Sequence, residues 1–378
     1  MQTVGIICEY NPLHLGHKKQ IDIIRAQRGD DCGIVCLMSG NFVQRAAPAI
    51  FDRTLRAKAA IVCGADLVLE LPVTAALSSA EGFAAGGVSI LGKFCDELCF
   101  GAENADAQLL MDTAKTLLSD QFPPALRLHL DQGCSFPAAR AAALGDLGMD
   151  ASILASPNNI LAVEYCKAMM GGSMIPFPIC REGSYHDEAA DVKNPSATAV
   201  RKLIIEKHDW KSCIPAEAHA FFEGAAIHTL PAGERGILAK LRTMSDGDFE
   251  ALPYGSEGLW RKLMHACRKE ATLEAIATST KSKRYTRSRI DRMILCAFLG
   301  LTADDLNTPA PYARVLALND RGREILKNAR NYGSFPNIGE KTGDPYEQIE
   351  DRCDALYGLF AENAPEAPIN APRISLVR

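Results

Sequence analysis

The sequence predicts an α/β fold, a doubly wound parallel sheet followed by a mainly helical C-terminal domain, on three observations. Short apolar runs alternate with helix-like stretches through the first half of the chain, which is typical of βαβ units. After about residue 207 the strand signals fade and helical spacing takes over. The length of 378 residues exceeds what a single core usually fills. We therefore expect a Rossmann-like domain over 1–207 and a helical domain over 208–378.

The individual elements follow from these patterns. Strands are predicted at 4–8, 33–38, 67–71 and 98–100, and helices begin near 16, 52, 78 and 104, the last capped by Asn104. Residues 174–179 contain two prolines, which cannot donate to a central ladder, so they predict an edge strand. Helical spacing recurs at 216–222, 258–268, 273–278 and 286–299.

Composition narrows the class of protein. Hydrophobic residues at 47% and charged residues at 23% are ordinary globular usage. No apolar run approaches the roughly 18 residues that span a bilayer, and Met1 leads straight into a strand, so we expect a cytoplasmic protein without a membrane partner. The net charge of −5 argues against a generally basic nucleic-acid coat, so any such contact is expected to be local.

The 13 cysteines are predicted to be reduced, mostly buried thiols. Their number is odd, and no C-x-x-C occurs. Cys32 with Cys36 and Cys95 with Cys99 share a C-x3-C spacing, but both pairs lie in apolar runs with no histidine nearby. We therefore predict no metal site.

The turn after the first strand carries the strongest functional signal. His14 and His17 flank Gly16 where a helix begins, and the start of such a helix binds phosphate through free amide groups. Two imidazoles there would stabilise charge on an α-phosphate as pyrophosphate leaves. The histidines could instead be surface residues of an ordinary helix start, or a metal pair lacking a third ligand. The βαβ context favours phosphate.

Several further motifs follow this turn in order. They are EYNPLHLGH at 9–17, MSGNFVQR at 38–45, DLVLELP at 66–72, FGAE at 100–103, SPNNIL at 156–161, YHD at 185–187, SATAVR at 196–201 and KRYTR at 283–287. In this series the chain resembles the tRNA(Met) cytidine acetate ligase family, within the His-x-Gly-His nucleotidyltransferase superfamily. The resemblance implies a nucleotidyltransferase-type sheet and an enzyme that joins ATP and acetate into acetyl adenylate. The acetyl group would then pass to the wobble cytidine of elongator tRNA(Met), and Mg²⁺ would accompany ATP.

The resemblance also implies site residues. His14 and His17 would be catalytic, and ATP would contact Ile7, Cys8, Glu9, Tyr10, Asn11, Pro12, Leu13, His14, Leu15, Gly16, His17, Lys18, Lys19, Gln20, Gly101, Asn158 and Arg181. Ser196 and Thr198 resemble a second phosphate motif, with Arg201 beside them. Simpler interpretations stay open: Gly101 as a turn glycine, and Asn158 and Ser196 as helix caps. Asn41, Gln44 and Arg45 could face substrate or RNA, and His186-Asp187 could orient a group or close a turn.

The densest basic run, 281–292, predicts the RNA contact. Lys283, Arg284 and Arg287 would share a helical face, with Tyr285 as a stacking platform, although such a run is also compatible with a solvated face. Two other functions compete with the ligase, namely a small-molecule adenylyltransferase and a nonenzymatic RNA-binding factor. A basic helical second half argues against the first, and intact His14, Gly16 and His17 argue against the second.

Overall fold

A computed structural model of the chain describes residues 1–181, 195–282, 284–363 and 375–376. The strands are β1 (Thr3–Cys8), β2 (Gly33–Ser39), β3 (Phe42–Val43), β4 (Ala47–Pro48), β5 (Leu67–Leu71), β6 (Glu97–Ala102), β7 (Ile175–Cys180), β8 (Val315–Leu318) and β9 (Ser375–Leu376). The helices of the first half are α1 (Leu15–Arg28), α2 (Arg53–Val62), α3 (Val73–Ala76), α4 (Ala80–Leu91), α5 (Ala107–Leu117), α6 (Phe122–Asp131), α7 (Phe136–Asp146), α8 (Pro157–Met169) and α9 (Ala197–Ile205). Those of the second half are α10 (His219–Phe222), α11 (Leu230–Thr243), α12 (Asp246–Glu250), α13 (Leu259–Lys269), α14 (Leu273–Thr280), α15 (Arg287–Leu299), α16 (Ala303–Asn307), α17 (Asp320–Ala329) and α18 (Tyr346–Tyr357).

The main sheet confirms the predicted α/β fold. Its strand order is β7-β6-β1-β2-β5-β8-β9, and neighbours from β7 to β5 are parallel. One face packs on α4, α5 and α8, and the other on α1, α2 and α9, so apolar clusters cover both faces as a parallel sheet requires. The order places the β1–α1 turn beside β6, at the switch point where open α/β sheets bind ligands.

Two local predictions have different outcomes. The proline-containing run forms β7 at the end of the strand order, which confirms the edge strand. Asn104 was the wrong cap, because α5 begins two residues later and its N-cap is Asp106. The Asp106 carboxylate accepts hydrogen bonds from the first turn, and the Asn104 side chain accepts one from the N–H of Asp106 at 3.0 Å.

The chain returns to the sheet after the helical stretch, which the sequence pattern did not indicate. β8 pairs antiparallel with β5. Asp66 fixes this junction, because its carboxylate accepts from Asn319 Nδ2 at 2.9 Å and pairs with Arg25 Nη2 at 2.7 Å. The segment 208–378 therefore contributes to the sheet as well as to the helices, and the division at residue 207 stays a prediction.

The helices α11 to α15 share a separate apolar cluster that also includes Phe42 and Leu77. These two side chains follow the carboxyl ends of β2 and β5, and the hydroxyl of Tyr254 donates to the carbonyl of Leu77 at 3.1 Å. The helical part thus packs on the carboxyl edge of the sheet, the edge that also carries the β1–α1 turn. Among the described helices, none combines the length and apolar character needed to cross a bilayer.

Candidate nucleotide-binding site

The two histidines of the β1–α1 turn cap their own helix. The Nδ1 atom of His14 accepts from the backbone N–H of Gly16 at 3.1 Å, and Nδ1 of His17 accepts from the backbone N–H of His14 at 3.3 Å. The rings stack with their centroids 3.8 Å apart. Since each Nδ1 accepts, these hydrogen bonds assign the proton of each neutral ring to Nε2. The turn therefore presents two Nε2–H donors.

Gly16 leaves room for the imidazole ring of His14 beside it. A Cβ at this position would lie 3.0 Å from Cε1 and 3.2 Å from Nδ1 of His14, closer than side chains normally approach. The glycine thus allows the imidazole to fold back over the first turn of α1.

The electrostatics of the turn keep both rings neutral. Burial, with Arg181 and Arg201 adding to it, lowers the pKa of His14 to about 3. Desolvation, followed by the charges of His14 and Arg181, holds the pKa of His17 well below its usual range. Two guanidinium groups therefore act on a turn that already offers amide and imidazole donors, an arrangement that favours a polyanion.

Gly101, Asn158 and Arg181 form one contact network. A Cβ on Gly101 would lie 2.8 Å from Cγ of Arg181, so the arginine side chain crosses β6 only because residue 101 is glycine. Arg181 Nη1 donates to Oδ1 of Asn158 at 3.1 Å, and Nδ2 of Asn158 donates to a carboxylate oxygen of Glu103 at 2.7 Å. Glu103 also accepts from the N–H of Asn159 at 2.8 Å, so one carboxylate holds the start of α8.

Arg201 joins the start of α9 to the first turn. Its Nη1 donates to the carbonyl of Asn11 at 2.8 Å, and its Nη2 donates to the hydroxyl of Thr198 at 3.1 Å. Ser196 is the N-cap of α9 and accepts from the N–H of Ala199 at 3.1 Å. The Arg201 guanidinium therefore ties Thr198 to the same turn as His14, and Ser196 caps the helix that carries both Thr198 and Arg201.

Three side chains of the segment 7–20 contact other parts of the protein. Tyr10 is fully buried and contacts Cys36 Sγ through its hydroxyl at 3.5 Å, and the Asn11 side chain accepts from the N–H of Ile50 at 2.8 Å. Lys18 forms an ion pair along the helix with Asp22. Lys19 is exposed, whereas the other members are buried or partly buried: Ile7, Cys8, Glu9, Pro12, Leu13, Leu15 and Gln20.

The sequence interpretation missed Arg56, which is fully buried. Its guanidinium donates to the carbonyls of Glu9 at 2.6 Å, Ser39 at 3.1 Å and Phe51 at 2.9 Å, and also to that of Gly40. It thereby ties together the ends of β1 and β2. The available signal was an arginine three residues after Arg53 on an otherwise largely apolar helix, which is unusual at a core position.

The residues predicted to contact tRNA lie in the helical part. Lys283 is outside the described residues, as are His186 and Asp187. Arg284 pairs with Glu257 at 2.7 Å, and Arg287 pairs with Glu274 at 2.8 Å and with Asp291 at 2.7 Å.

Tyr285 as a stacking platform was wrong. Its ring is only 9% exposed because it packs in the helical core, and its hydroxyl donates to the carbonyl of Glu257 at 3.1 Å.

All 13 cysteines are free thiols. The described residues contain no group of three His, Cys, Asp or Glu side chains that could hold a metal ion.

A parallel sheet whose first turn presents paired imidazoles beside two arginines defines the class of nucleotidyltransferases with a His-x-Gly-His turn, and the family model described as HIGH Nucleotidyl Transferase matches residues 1–368. The chain is 36% identical to the tRNA(Met) cytidine acetate ligase of Clostridium novyi over 89% of each chain, and 33% identical to that of Clostridium perfringens over 98% of each. It belongs to the tRNA(Met) cytidine acetate ligase family.

Solved structures agree with this assignment. TmcAL of Thermotoga maritima without ligand superposes over the whole of both chains with a TM-score of 0.89 at 28% identity. The same protein bound with alpha-thio ATP gives a TM-score of 0.87 at 27% identity, again over both whole chains.

Proposed function

We propose that the chain is an ATP-dependent acetate ligase that forms acetyl adenylate and transfers the acetyl group to the wobble cytidine of elongator tRNA(Met), giving N4-acetylcytidine. The names of its relatives and the alpha-thio ATP bound by the Thermotoga maritima protein support this proposal. The observation that carries it is the pair of Nε2–H donors of His14 and His17, set beside Arg181 and Arg201 at the switch point of the sheet.

The first half-reaction needs these donors. An oxygen of acetate attacks the α-phosphorus of ATP, the bond from phosphorus to the bridging oxygen breaks, and pyrophosphate leaves with the electron pair. Negative charge grows on the phosphate oxygens in this step, and donors already in place stabilise it without reorganisation. In this proposal His14 and His17 donate to the α-phosphate, while Arg181 and the α9 start, with Ser196 and Thr198, hold the rest of the nucleotide.

The second half-reaction joins the acetyl group to RNA. The N4 amine of cytidine attacks the acetyl carbon, the bond from that carbon to the AMP oxygen breaks, and the amine releases a proton to solvent. The helical part packs on the carboxyl edge of the sheet, so we propose that tRNA binds there, with Lys283, Arg284 and Arg287 among its contacts. ATP and tRNA are both cytoplasmic reagents, so we propose the same location for the chain.

Mg²⁺ is a proposal as well. The donor set described at the turn consists of imidazoles with occupied Nδ1 atoms and of guanidinium groups, which does not fit an ion that prefers oxygen ligands. Mg²⁺ commonly binds through substrate phosphates and water, so the oxygens of ATP would carry it. No step above depends on the ion.

Exchange of labelled pyrophosphate into ATP tests the proposed function. We expect acetate to support exchange, and formate, propionate, glycine and mononucleotides to support it far less. Exchange driven by a mononucleotide instead would identify a small-molecule adenylyltransferase. If no carboxylate and no nucleotide supports exchange while tRNA still binds, the chain is a nonenzymatic RNA-binding factor.

A further inference from the structure

The helix α13 has a solvent face made only of basic side chains. Its buried side is apolar, with Leu263, Met264 and Cys267 in the helical core. All of its exposed positions carry a nitrogen-bearing side chain: Arg261, Lys262, His265, Arg268 and Lys269. These positions follow the spacing of one helical stripe, so their side chains project together.

Most of this face keeps its charge available. Arg268 forms an ion pair with Asp246 at 2.6 Å, and no other described carboxylate pairs with the face. Lys262 Nζ donates to the carbonyl of Lys281 at 3.1 Å, which places the exposed Lys281 beside the stripe. Within the described residues of the 281–292 run, by contrast, Arg284 and Arg287 are both matched by glutamates. The basic run identified from sequence is therefore more neutralised than this face.

The surrounding composition points the same way. Residues 230–300 contain 13 Lys and Arg against 8 Asp and Glu, whereas the whole chain contains 41 against 46. A polyanion binds preferentially to the positively charged part of an otherwise acidic protein, because neutralising its phosphates releases counterions.

An aromatic ring lies at one end of the stripe. Trp260 is half-buried, and the guanidinium of Arg261 lies 4.9 Å above the centroid of its ring. Tryptophan with a stacked arginine is a common platform for an unpaired base, because every base offers a π face. The basic side chains and the tryptophan ring therefore lie next to each other on one helix.

We propose that the exposed face of α13, with Trp260 at its end, binds the phosphate backbone of RNA. This inference rests on the proposed function for the identity of the RNA as tRNA. Contacts of this kind position a nucleic acid without reading its sequence, so the α13 face would bind cognate and other tRNAs alike. Selection of the elongator tRNA(Met) then belongs to other residues.

The test compares two triple variants of equal charge change. Arg261→Ala/Lys262→Ala/Lys269→Ala removes three cations from α13, whereas Lys115→Ala/Arg127→Ala/Lys327→Ala removes three exposed cations from α5, α6 and α17. Alanine favours the helix in both sets, so both proteins are expected to fold. Thermal unfolding by circular dichroism verifies this, and acetate-dependent pyrophosphate exchange verifies the first half-reaction.

The readout is tRNA affinity at several salt concentrations. We expect the plot of log affinity against log salt to be less steep for the α13 variant, with the magnitude of its slope reduced by about 2 to 3. Each phosphate contact contributes roughly 0.7 to 0.9 to that magnitude. The control variant should keep the wild-type slope. Affinity for an unrelated tRNA should fall by a similar factor, and Trp260→Ala should weaken binding to single-stranded RNA.

Three outcomes would overturn the inference. An α13 variant with the wild-type slope would place the RNA backbone elsewhere, and equal losses in both triple variants would mean a diffuse charge effect. Unchanged RNA binding with a lost acidic protein partner would reassign the face. Failure of the proposed function shows separately, as absent exchange in the wild-type enzyme, because RNA affinity is measured without turnover.

Discussion

The Nδ1 atom of His17 accepts the backbone N–H of His14 at 3.3 Å, so the second histidine caps the residue that carries the first. Both Nε2–H groups are thereby aimed by the helix start itself rather than by separate carboxylates.

His17→Ala is expected to leave a folded protein and to lower acetate-dependent pyrophosphate exchange by about 100 to 1000-fold, the usual effect of removing one donor to a developing oxyanion. Exchange kinetics with saturating ATP and acetate measure this. The exposed His208, with a side chain 63% exposed, supplies the control substitution His208→Ala. An exchange rate within a fewfold of wild type would remove His17 from the chemistry.

The neutral histidines also predict acid sensitivity. The folded pKa of His14 is about 3, below its unfolded value, so the unfolded chain binds the proton first. The free energy of unfolding is then highest above pH 6.5 and decreases as the pH falls toward 3. The decrease is up to about 1.4 kcal/mol per pH unit for each such histidine. Urea unfolding between pH 7.5 and 5 measures this slope. His14→Gln/His17→Gln should flatten it, whereas an identical slope in the variant would contradict neutral histidines.

Arg181→Ala should raise the KM for ATP more than the KM for acetate, because a guanidinium held against phosphate mainly supplies ground-state binding. The charge of Arg181 also helps to lower the pKa of both His14 and His17. Initial rates over an ATP series at fixed acetate, and the converse, separate the two constants. With an unchanged dependence on ATP, Arg181 would have only a structural role.

Gly101→Ala should act through Arg181. The new Cβ would lie 2.8 Å from Cγ and 2.9 Å from Cδ of the arginine, whose flexible side chain must move. We expect Gly101→Ala alone to raise the KM for ATP. The double variant Gly101→Ala/Arg181→Ala should have the same KM for ATP as Arg181→Ala alone. Such a double-mutant cycle isolates the coupling between contacting residues. Additive effects would mean that Gly101 contacts the nucleotide independently.

Charge reversal at Lys283, Arg284 and Arg287 should weaken tRNA binding and acetyl transfer while pyrophosphate exchange persists. Arg284 and Arg287 are already paired with Glu257 and Glu274, so RNA phosphate must replace those carboxylates. The salt slope of this variant is therefore expected to change less than that of the α13 variant. Full transfer activity after charge reversal would exclude these residues from the RNA contact.

Much of the architecture follows from the sequence alone, because its signals are local. Short continuous apolar runs, separated by stretches with helical spacing, are enough to predict β1, β2 and β5 and the helices after them. The His-x-Gly-His turn is equally local, since capping, glycine and both histidines lie within one helical turn. The turn therefore predicts a nucleotide site from sequence alone, and the serial order of the other motifs adds the resemblance to the ligase family.

Tertiary structure decided what depends on distant pairing. The Asp66–Asn319 contact joins residues 253 positions apart, and no periodicity in the sequence predicts that β8 pairs with β5. The crossing of Gly101 by Arg181 depends on the β6–β7 register. Whether a basic side chain is free to bind a ligand also depends on the tertiary structure, because the fold decides which carboxylate lies close enough to pair with it. Composition counts charges, whereas the fold determines which of them remain for a ligand.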